Sequence, residues 1–361
     1  MGLIQLNVSN LRNITQATLS PHPAFNLITG INGSGKTSLL EAIYFLGRGR
    51  SFKAANNERL IQKGKSEFII TGRIQLNDRE LQLGIQRANK RTRIRLSGQT
   101  ITRASQLTEV LPIQIIEPSL HAFFEQGPDV RRRFLEWGVF HVEPRYEQAW
   151  RNYRRVLQQR NAALKAHWGR AAIIQWDALL VESAVKINTY RQAYLEKIAC
   201  FLHEFPGQHA IDFMQDMEME YYPGWKRGAD LGEVLTASLD SDFTRGFTQS
   251  GPHRADIRFR IGGDRGRDVL SRGQQKLFIS LLFLAQSILL KKLTGKRSLI
   301  LIDDLAAELD ETSRTTLLRV LLSTDSQVFI TATSLDALTG LWDELPHAVF
   351  HVEHGNIEQV I

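Results

Sequence analysis

Gly30-Ile31-Asn32-Gly33-Ser34-Gly35-Lys36-Thr37 is the stretch from which the rest of the chain is read. It matches G-x-x-x-x-G-K-[ST], a glycine-rich loop that cradles nucleotide phosphates between a strand and a helix. The flanks supply that context. Ala24-Phe25-Asn26-Leu27-Ile28-Thr29 is short and apolar enough for a buried strand, and Ser38-Leu39-Leu40-Glu41-Ala42-Ile43 reads as a helix with few breakers. The loop's N–H groups and the positive end of the helix attract phosphate oxygens. Glycine permits close backbone approach and unusual angles. Gly30, Ile31, Asn32, Gly33, Ser34, Gly35, Lys36, Thr37 and Ser38 are therefore the candidate ATP-binding residues. Lys36 is expected at the β- and γ-phosphates, and Thr37 as a ligand of Mg²⁺.

The chain has 361 residues, enough for two domains and a sizeable core. Its 43% hydrophobic and 23% charged residues are ordinary for a soluble globular protein. The single cysteine, Cys200, excludes an intrachain disulfide and a Cys-based zinc site. Met1-Gly2-Leu3-Ile4-Gln5-Leu6 lacks the basic start and long apolar run of a signal peptide, so a cytoplasmic protein is expected. The longest apolar run, 278–290, is short for a bilayer and carries Ser280, Gln286 and Ser287. The net charge of +7 favours a polyanionic partner, nucleic acid or acidic lipid.

Further along, residues 4–8 alternate like a strand with one wet face, and a second short strand lies near 17–19. Residues 67–76, 80–86 and 92–96 read as antiparallel strands, with turns at Asn77-Asp78 and Asn89-Lys90. On the last strand Arg91, Arg93 and Arg95 share one face, as a solvated edge or as a DNA contact. Ile113-Gln114-Ile115-Ile116 looks like a buried strand. Between Pro128 and Phe205 the pattern turns helical, with helices starting at Pro128, near Arg145 and near Ala171, and Pro206-Gly207 as the stop. The Met/aromatic stretch 213–222 reads as local packing. An alternating strand follows at 255–261, then a long helix to about Thr294, continuous apolar strands at 298–302 and 328–330, and a closing hairpin. Apolar strands alternating with helices argue for a largely parallel, doubly covered sheet.

Two more stretches carry chemistry. Ser298-Leu299-Ile300-Leu301-Ile302 ends in Asp303-Asp304, the carboxylates a P-loop NTPase needs opposite its lysine. Asp303 is the candidate Mg²⁺ residue, and Asp304, with Lys36, is the candidate catalytic group, placed to orient or deprotonate water. Ser271-Arg272-Gly273-Gln274-Gln275 pairs a hydroxyl and a glycine with a fresh helix N-terminus, a second phosphate-binding surface. It can cap an ATP held elsewhere.

Together these motifs resemble the head of an ABC-type ATPase: Walker A, an LSGGQ-like signature at Leu270-Ser271-Arg272-Gly273-Gln274, and Walker B at 299–304. Ala307-Glu308-Leu309-Asp310 resembles the D-loop of that class. Asn10-Leu11-Arg12-Asn13 is similar to the start of SMC-like heads, which implies nucleotide contact by Arg12 and Asn13. Gly127-Pro128-Asp129-Val130-Arg131-Arg132-Arg133-Phe134-Leu135-Glu136 and Ser250-Gly251-Pro252-His253-Arg254-Ala255-Asp256 resemble two runs of the RecF family. That likeness covers essentially the whole chain. Its departures are Arg272 at the first glycine of LSGGQ, Glu136 in place of Asp, Asp304 where transporter ATPases have Glu, and Thr333 roughly at the place of their switch histidine. Gln114, after the basic β-lobe, is the expected Q-loop residue and a further Mg²⁺ ligand.

The resemblance implies an α/β ABC-type head, with an antiparallel β-lobe and a P-loop parallel core, at 1–125 plus 250–361. An all-helical domain is expected as an insert at 126–249. It further implies a weak ATPase that binds single-stranded, gapped and duplex DNA, forms a homodimer on ATP, and supports RecA loading with RecR and RecO in replication, recombinational repair and the SOS response. ATP and Mg²⁺ are the implied cofactors, and no membrane is involved. The competing reading is the ATPase subunit of a membrane transporter, against which the Arg-rich insert and the RecF-like runs argue. A third is a module that binds ATP for assembly alone, against which the intact Asp303-Asp304 pair argues.

Overall fold

The structure is a computed structural model that describes residues 1–77, 79–88, 91–118, 122–204, 211–304, 309–334 and 345–360. The expected turns at 77–78 and 89–90, the stop at 206–207 and the D-loop residues 307–308 lie wholly or partly outside the described residues. The chain divides into two compact units, Met1–Leu120 with Arg272–Ile361, and His121–Ser271.

The first unit opens with β1 (Gly2–Leu11), β2 (Ile14–Leu19) and β3 (Phe25–Thr29), followed by α1 (Lys36–Arg48). Next come β4 (Glu67–Leu76), β5 (Arg79–Ala88), β6 (Arg91–Leu96), β7 (Gln99–Ile101), α2 (Ala104–Val110) and β8 (Ile113–Ile116). β1, β2 and β4 to β7 form an antiparallel sheet in the order β2-β1-β4-β5-β6-β7. Its strands alternate buried and exposed positions, as β4 does, because only one face is covered. That face, with Leu6, Val8, Ile70, Leu83 and Ile85, closes on Leu39, Ile43, Phe45 and Leu46 of α1. Arg91, Arg93 and Arg95 are exposed on the opposite face.

In the second unit lie α3 (Ala122–Glu125), α4 (Pro128–Val142), α5 (Tyr146–Lys165), α6 (Arg170–Ile174) and α7 (Asp177–Glu204). β9 (Met217–Tyr222), α8 (Leu231–Arg245), β10 (Asp256–Ile261), β11 (Asp264–Arg265) and α9 (Gly266–Val269) complete it. The expected single helix from 171 is two helices, broken before Asp177. The unit is also not all-helical, since β11-β10-β9 is a three-stranded sheet. Met217–Tyr222 pairs antiparallel with Asp256–Ile261 along its whole length. That pairing ties residues after 250 to this unit, so the chain returns to the first unit at Arg272 instead of at 250.

Buried arginines hold this unit. Arg160, fully buried, bonds Asp177 at 2.7 Å and both Asp242 and Thr248 at 2.8 Å. Arg191, also fully buried, reaches Tyr146 and Glu136 at 3.1 Å and the Pro252 carbonyl at 2.8 Å. Arg131 grips Asp256 through both oxygens, at 2.7 and 3.1 Å, and Arg132 donates to the Ala255 carbonyl at 2.7 Å. The two RecF-like runs therefore clasp each other. Removing one member of such a buried pair strands the other charge.

The chain re-enters the first unit with α10 (Arg272–Thr294), β12 (Leu299–Ile302), α11 (Glu311–Ser323), β13 (Gln327–Ala332), β14 (His347–Glu353) and β15 (Asn356–Gln359). These strands build a second sheet in the order β15-β14-β3-β13-β12-β8, parallel except for the terminal hairpin. β3, β12 and β13 are buried at every position, as continuous apolar runs demand. α10 has the length and composition to cross a membrane, but most of it is buried inside this unit as a core helix. The sheet order brings the carboxyl ends of β3, β13 and β12 side by side, next to the N-terminus of α1.

The His253 imidazole offers a test of the second unit. Its Nδ1 accepts from the Tyr153 hydroxyl at 2.6 Å, and its Nε2 donates to the Thr248 carbonyl at 3.0 Å. Burial pushes its pKa down from 6.5 to about 4. Between those values the unfolded chain binds a proton that the folded chain refuses, so stability is lost as pH falls from about 6.5 and the loss levels off below about 4. At pH 5 the loss amounts to about 2 kcal/mol. Thermal denaturation at pH 7 and pH 5 should show a larger drop in Tm for the wild type than for His253→Gln. Equal drops would remove His253 as the source.

Candidate nucleotide-binding site

β3 delivers the chain into the glycine-rich loop, where Gly30 has φ 145° and a Cβ there would come within 2.3 Å of the Val352 carbonyl oxygen. Gly35 has φ 125°, and a Cβ would meet the Asn13 side-chain amide at 2.8 Å. Only glycine fits at either position. The loop is braced from the turn between β1 and β2. Asn13 donates to the Ser34 carbonyl at 2.8 Å and accepts from the Ser38 hydroxyl at 2.9 Å. Arg12, in a left-handed conformation at φ 52°, forks onto the fully buried carboxylate of Glu41. Glu41 lies on α1 and also accepts from the Ser51 hydroxyl.

A cavity of about 440 Å³ opens above this loop. Arg12, Asn13, Asn32, Gly33, Gly35, Lys36, Thr37 and Ser38 line one side, and Lys53, Pro118, Asp303, Asp304 and Thr331 the other. Its size suits a nucleotide. The Lys36 ammonium donates to the Gly30 carbonyl at 2.6 Å and the Ile31 carbonyl at 3.0 Å. Desolvation lowers its pKa, while Asp304 and Asp303 pull the other way. Asp303 accepts from the Thr37 hydroxyl at 2.9 and 3.1 Å, from the Thr331 hydroxyl at 2.9 Å, and pairs with Lys53 Nζ at 3.1 Å. Asp304 sits at φ 55°, a strained setting for a residue other than glycine.

The Thr37 hydroxyl beside a buried carboxylate is a set of hard oxygen donors, the chemistry that Mg²⁺ prefers. The Lys53 ammonium against Asp303 shows that this carboxylate takes a cation. Thr37 and Asp303 thus fit as the residues to hold Mg²⁺. Gln114 does not join them. It is buried in β8, paired opposite Ile300 two positions short of the strand end, and its amide donates to Gln286 at 2.8 Å. Pro118, past the end of β8, lines the cavity instead.

Ile31 is 68% exposed on the loop and Ser34 is buried beneath it; neither lines the cavity. Arg272, Gly273 and Gln274 open α10 and are also not among its walls, while Ser271 closes the other unit. Thr333 is exposed just beyond β13 and takes no part, whereas Thr331 does. Sequence reasoning missed Lys53, Thr331 and Glu41. The one available signal was a threonine closing the apolar run Val328-Phe329-Ile330.

Arg91, Arg93 and Arg95 lie away from this cavity. Among the described residues none of the three has an ion-pair partner, although in the same sheet Arg73 pairs with Glu80 at 2.9 Å, and Arg87 stands 4.0 Å from Glu58 of the turn Asn57–Leu60.

The RecF/RecN/SMC N terminal domain family matches residues 2–358. The "DNA replication and repair protein RecF" of Pseudomonas fluorescens (strain Pf-5) is 40% identical over 363 residues, covering 99% of this chain and 98% of that protein. Its namesake from Vibrio atlanticus is 39% identical over 361 residues, covering 99% and 100%. A solved RecF bound to ATP, described as a recombination mediator in the RecFOR pathway, superposes with a TM-score of 0.87 at 26% identity, covering 99% of this chain and 97% of that one. An SMC head bound to a domain of ScpA reaches 0.57 at 14% identity, a likeness of fold alone. With a relative at 40% identity over nearly the full length, the chain belongs to the RecF family of SMC/ABC-type ATPase heads.

Proposed function

We propose that this chain is an ATP-dependent DNA-binding protein of replication, recombinational repair and the SOS response, acting in the cytoplasm with slow ATP hydrolysis. The observation that carries the reading is the convergence of Lys36, Thr37, Asp303 and Asp304 on one cavity, from segments more than 260 positions apart. The names and the ATP-bound state of the relatives above agree with it.

The residues divide the work. Loop N–H groups and the N-terminus of α1 bind the phosphates. The Lys36 ammonium exchanges its bonds to the Gly30 and Ile31 carbonyls for bonds to the β- and γ-phosphates. Thr37 and Asp303 hold Mg²⁺, which neutralises phosphate charge when bound. Asp304, at the mouth of the acidic strand, orients the attacking water and accepts its proton. Arg12 and Asn13 face the nucleotide from the other side of the cavity. Arg272, Gly273 and Gln274 are not among the cavity walls, and the ABC-head likeness has the signature Ser271-Arg272-Gly273-Gln274 of a second copy cap the nucleotide, so that ATP closes a homodimer. The RecF likeness extends the reading to gapped, single-stranded and duplex DNA, to RecR as direct partner, and to RecO and RecA downstream. Arg91, Arg93 and Arg95, exposed and without an ion-pair partner among the described residues, form its candidate DNA face.

Lys36→Met removes an ammonium whose bonds here go to two main-chain carbonyls. Nucleotide affinity should be lost while the melting temperature of the nucleotide-free protein stays the same or rises, as calorimetry with and without ATP will show. Retained affinity would place the phosphates elsewhere.

Charge reversal at Arg91 and Arg93 should weaken duplex binding and flatten its log–log salt dependence by about 0.9 for each phosphate no longer neutralised. A slope that does not change would leave that face of the strand merely solvated.

ATP and DNA affinities should be linked through the dimer, since two basic faces held together bind bivalently. The coupling should be on the order of 5- to 150-fold and equal in both directions. Ser271→Arg should abolish it and leave weak, salt-sensitive binding. DNA affinity with and without ATP, measured in both proteins at fixed salt, tests this. Four equal affinities would end the clamp reading.

A further inference from the structure

Thr331 is fully buried at the carboxyl end of β13, a polar side chain closing the apolar run Val328-Phe329-Ile330. β13 lies between the strand that feeds the phosphate loop and the strand that carries the acids. It pairs with β3 through Thr331↔Ile28 and with β12 through Ile302↔Ile330. One step beyond that last pair, Asp303 and Thr331 stand side by side, and in a parallel ladder such neighbours point to the same face.

A single hydroxyl therefore meets both acids. Thr331 Oγ1 donates to Asp303 Oδ1 at 2.9 Å and accepts from the Asp304 backbone N–H at 2.8 Å. Asp303 Oδ1 takes its other bond from Thr37 at 2.9 Å, so two hydroxyls approaching from different elements set the plane of the carboxylate. Asp304 is left-handed at φ 55°, and its one N–H bond is to Thr331. That bond sets the direction in which the chain leaves the strand, and with it the point from which the Asp304 carboxylate departs.

We propose that Thr331 is a positioning residue for ATP hydrolysis, one hydroxyl that orients the metal-holding acid and the water-directing acid together. This rests on the roles given above to Asp303 and Asp304. A purely structural threonine would affect folding stability alone. A positioning threonine also sets the Mg²⁺ requirement and kcat, and a serine in its place restores both.

The test uses the full chain with Thr331→Val, which keeps the shape and removes the hydroxyl, and Thr331→Ser, which keeps the hydroxyl. Thr331→Ala replaces valine should the valine protein not fold. Anisotropy of a fluorescent ATP analogue is followed in EDTA and through a Mg²⁺ titration, alongside kcat and KM for ATP. In Thr331→Val the affinity in EDTA is the reference against which the Mg²⁺ effect is read. Its Mg²⁺ midpoint should rise and its kcat fall by about 10- to 100-fold, the usual effect of losing a group that orients a metal ligand. Thr331→Ser should restore both. A wild-type Mg²⁺ midpoint and kcat in Thr331→Val would overturn the proposal, as would a serine variant no better than valine. Asp303→Asn separates the two layers. If it shifts the Mg²⁺ midpoint and Thr331→Val does not, only the positioning role fails. If Asp303→Asn shifts nothing, the metal site itself is misassigned.

Discussion

The Thr37 hydroxyl on the Asp303 carboxylate, at 2.9 Å, is the interaction on which the first unit turns. A carboxylate that is 5% exposed is costly unless its oxygens are bonded, and here they receive two threonine hydroxyls and an ammonium. To bring those donors together, the N-terminus of α1 must lie over the carboxyl ends of β12 and β13. The sheet order β3-β13-β12 provides this, with the phosphate loop leaving β3 and the acids leaving β12. The buried face of α1 then closes the antiparallel sheet over the same core, so the basic outer strand is carried by the helix that begins in the phosphate loop.

Glu41 shows the same economy. It is fully buried on α1, where an unpaired anion would not be tolerated, and its charge is met by Arg12 from the first turn of the chain. That pairing fixes the turn whose next residue, Asn13, braces the loop at Ser34 and Ser38. Packing of the N-terminal strands and shape of the phosphate loop are thus one constraint, and the nucleotide's surroundings follow from it.

Chemistry written in contiguous residues is legible in the sequence. The phosphate loop, Asp303-Asp304 and the apolar strands all stand where expected, because each motif carries its own context. Thr331, Lys53 and Glu41 are not legible, because their roles depend on which strand or turn lies beside them. Position along the chain names only Thr333, as the departure at the place of the switch histidine. The strand's register with β12 sets Thr331 beside Asp303, while Thr333 falls past the end of the strand in solvent. Gln114 is expected at the metal only from its position after the β-lobe. A residue inside a strand buried on both faces has only other core groups to bond, and it bonds Gln286. The return point of the insert differs for a related reason. Met217-Glu218-Met219-Glu220-Tyr221 does alternate apolar and charged side chains, but nothing local names Asp256–Ile261 as its partner strand, so the stretch reads only as local packing.

Arginine is where composition and structure diverge most usefully. The chain's 45 lysines and arginines and net charge of +7 suggest a polyanion without locating it. In the second unit, the arginines that make the insert look like a basic surface include Arg160 and Arg191, which are fully buried and neutralised, and Arg131, which is committed to Asp256. They hold the fold and are closed to a ligand. On β6 the opposite holds: Arg91, Arg93 and Arg95 are exposed, and no described acid of the neighbouring strand is paired with them, although Glu80 on that strand is paired with Arg73. Three cations aligned on one strand repel one another, which is destabilising by itself. An anionic partner would relieve that repulsion, which is why this face, and not the buried arginines of the second unit, is the one proposed above for DNA.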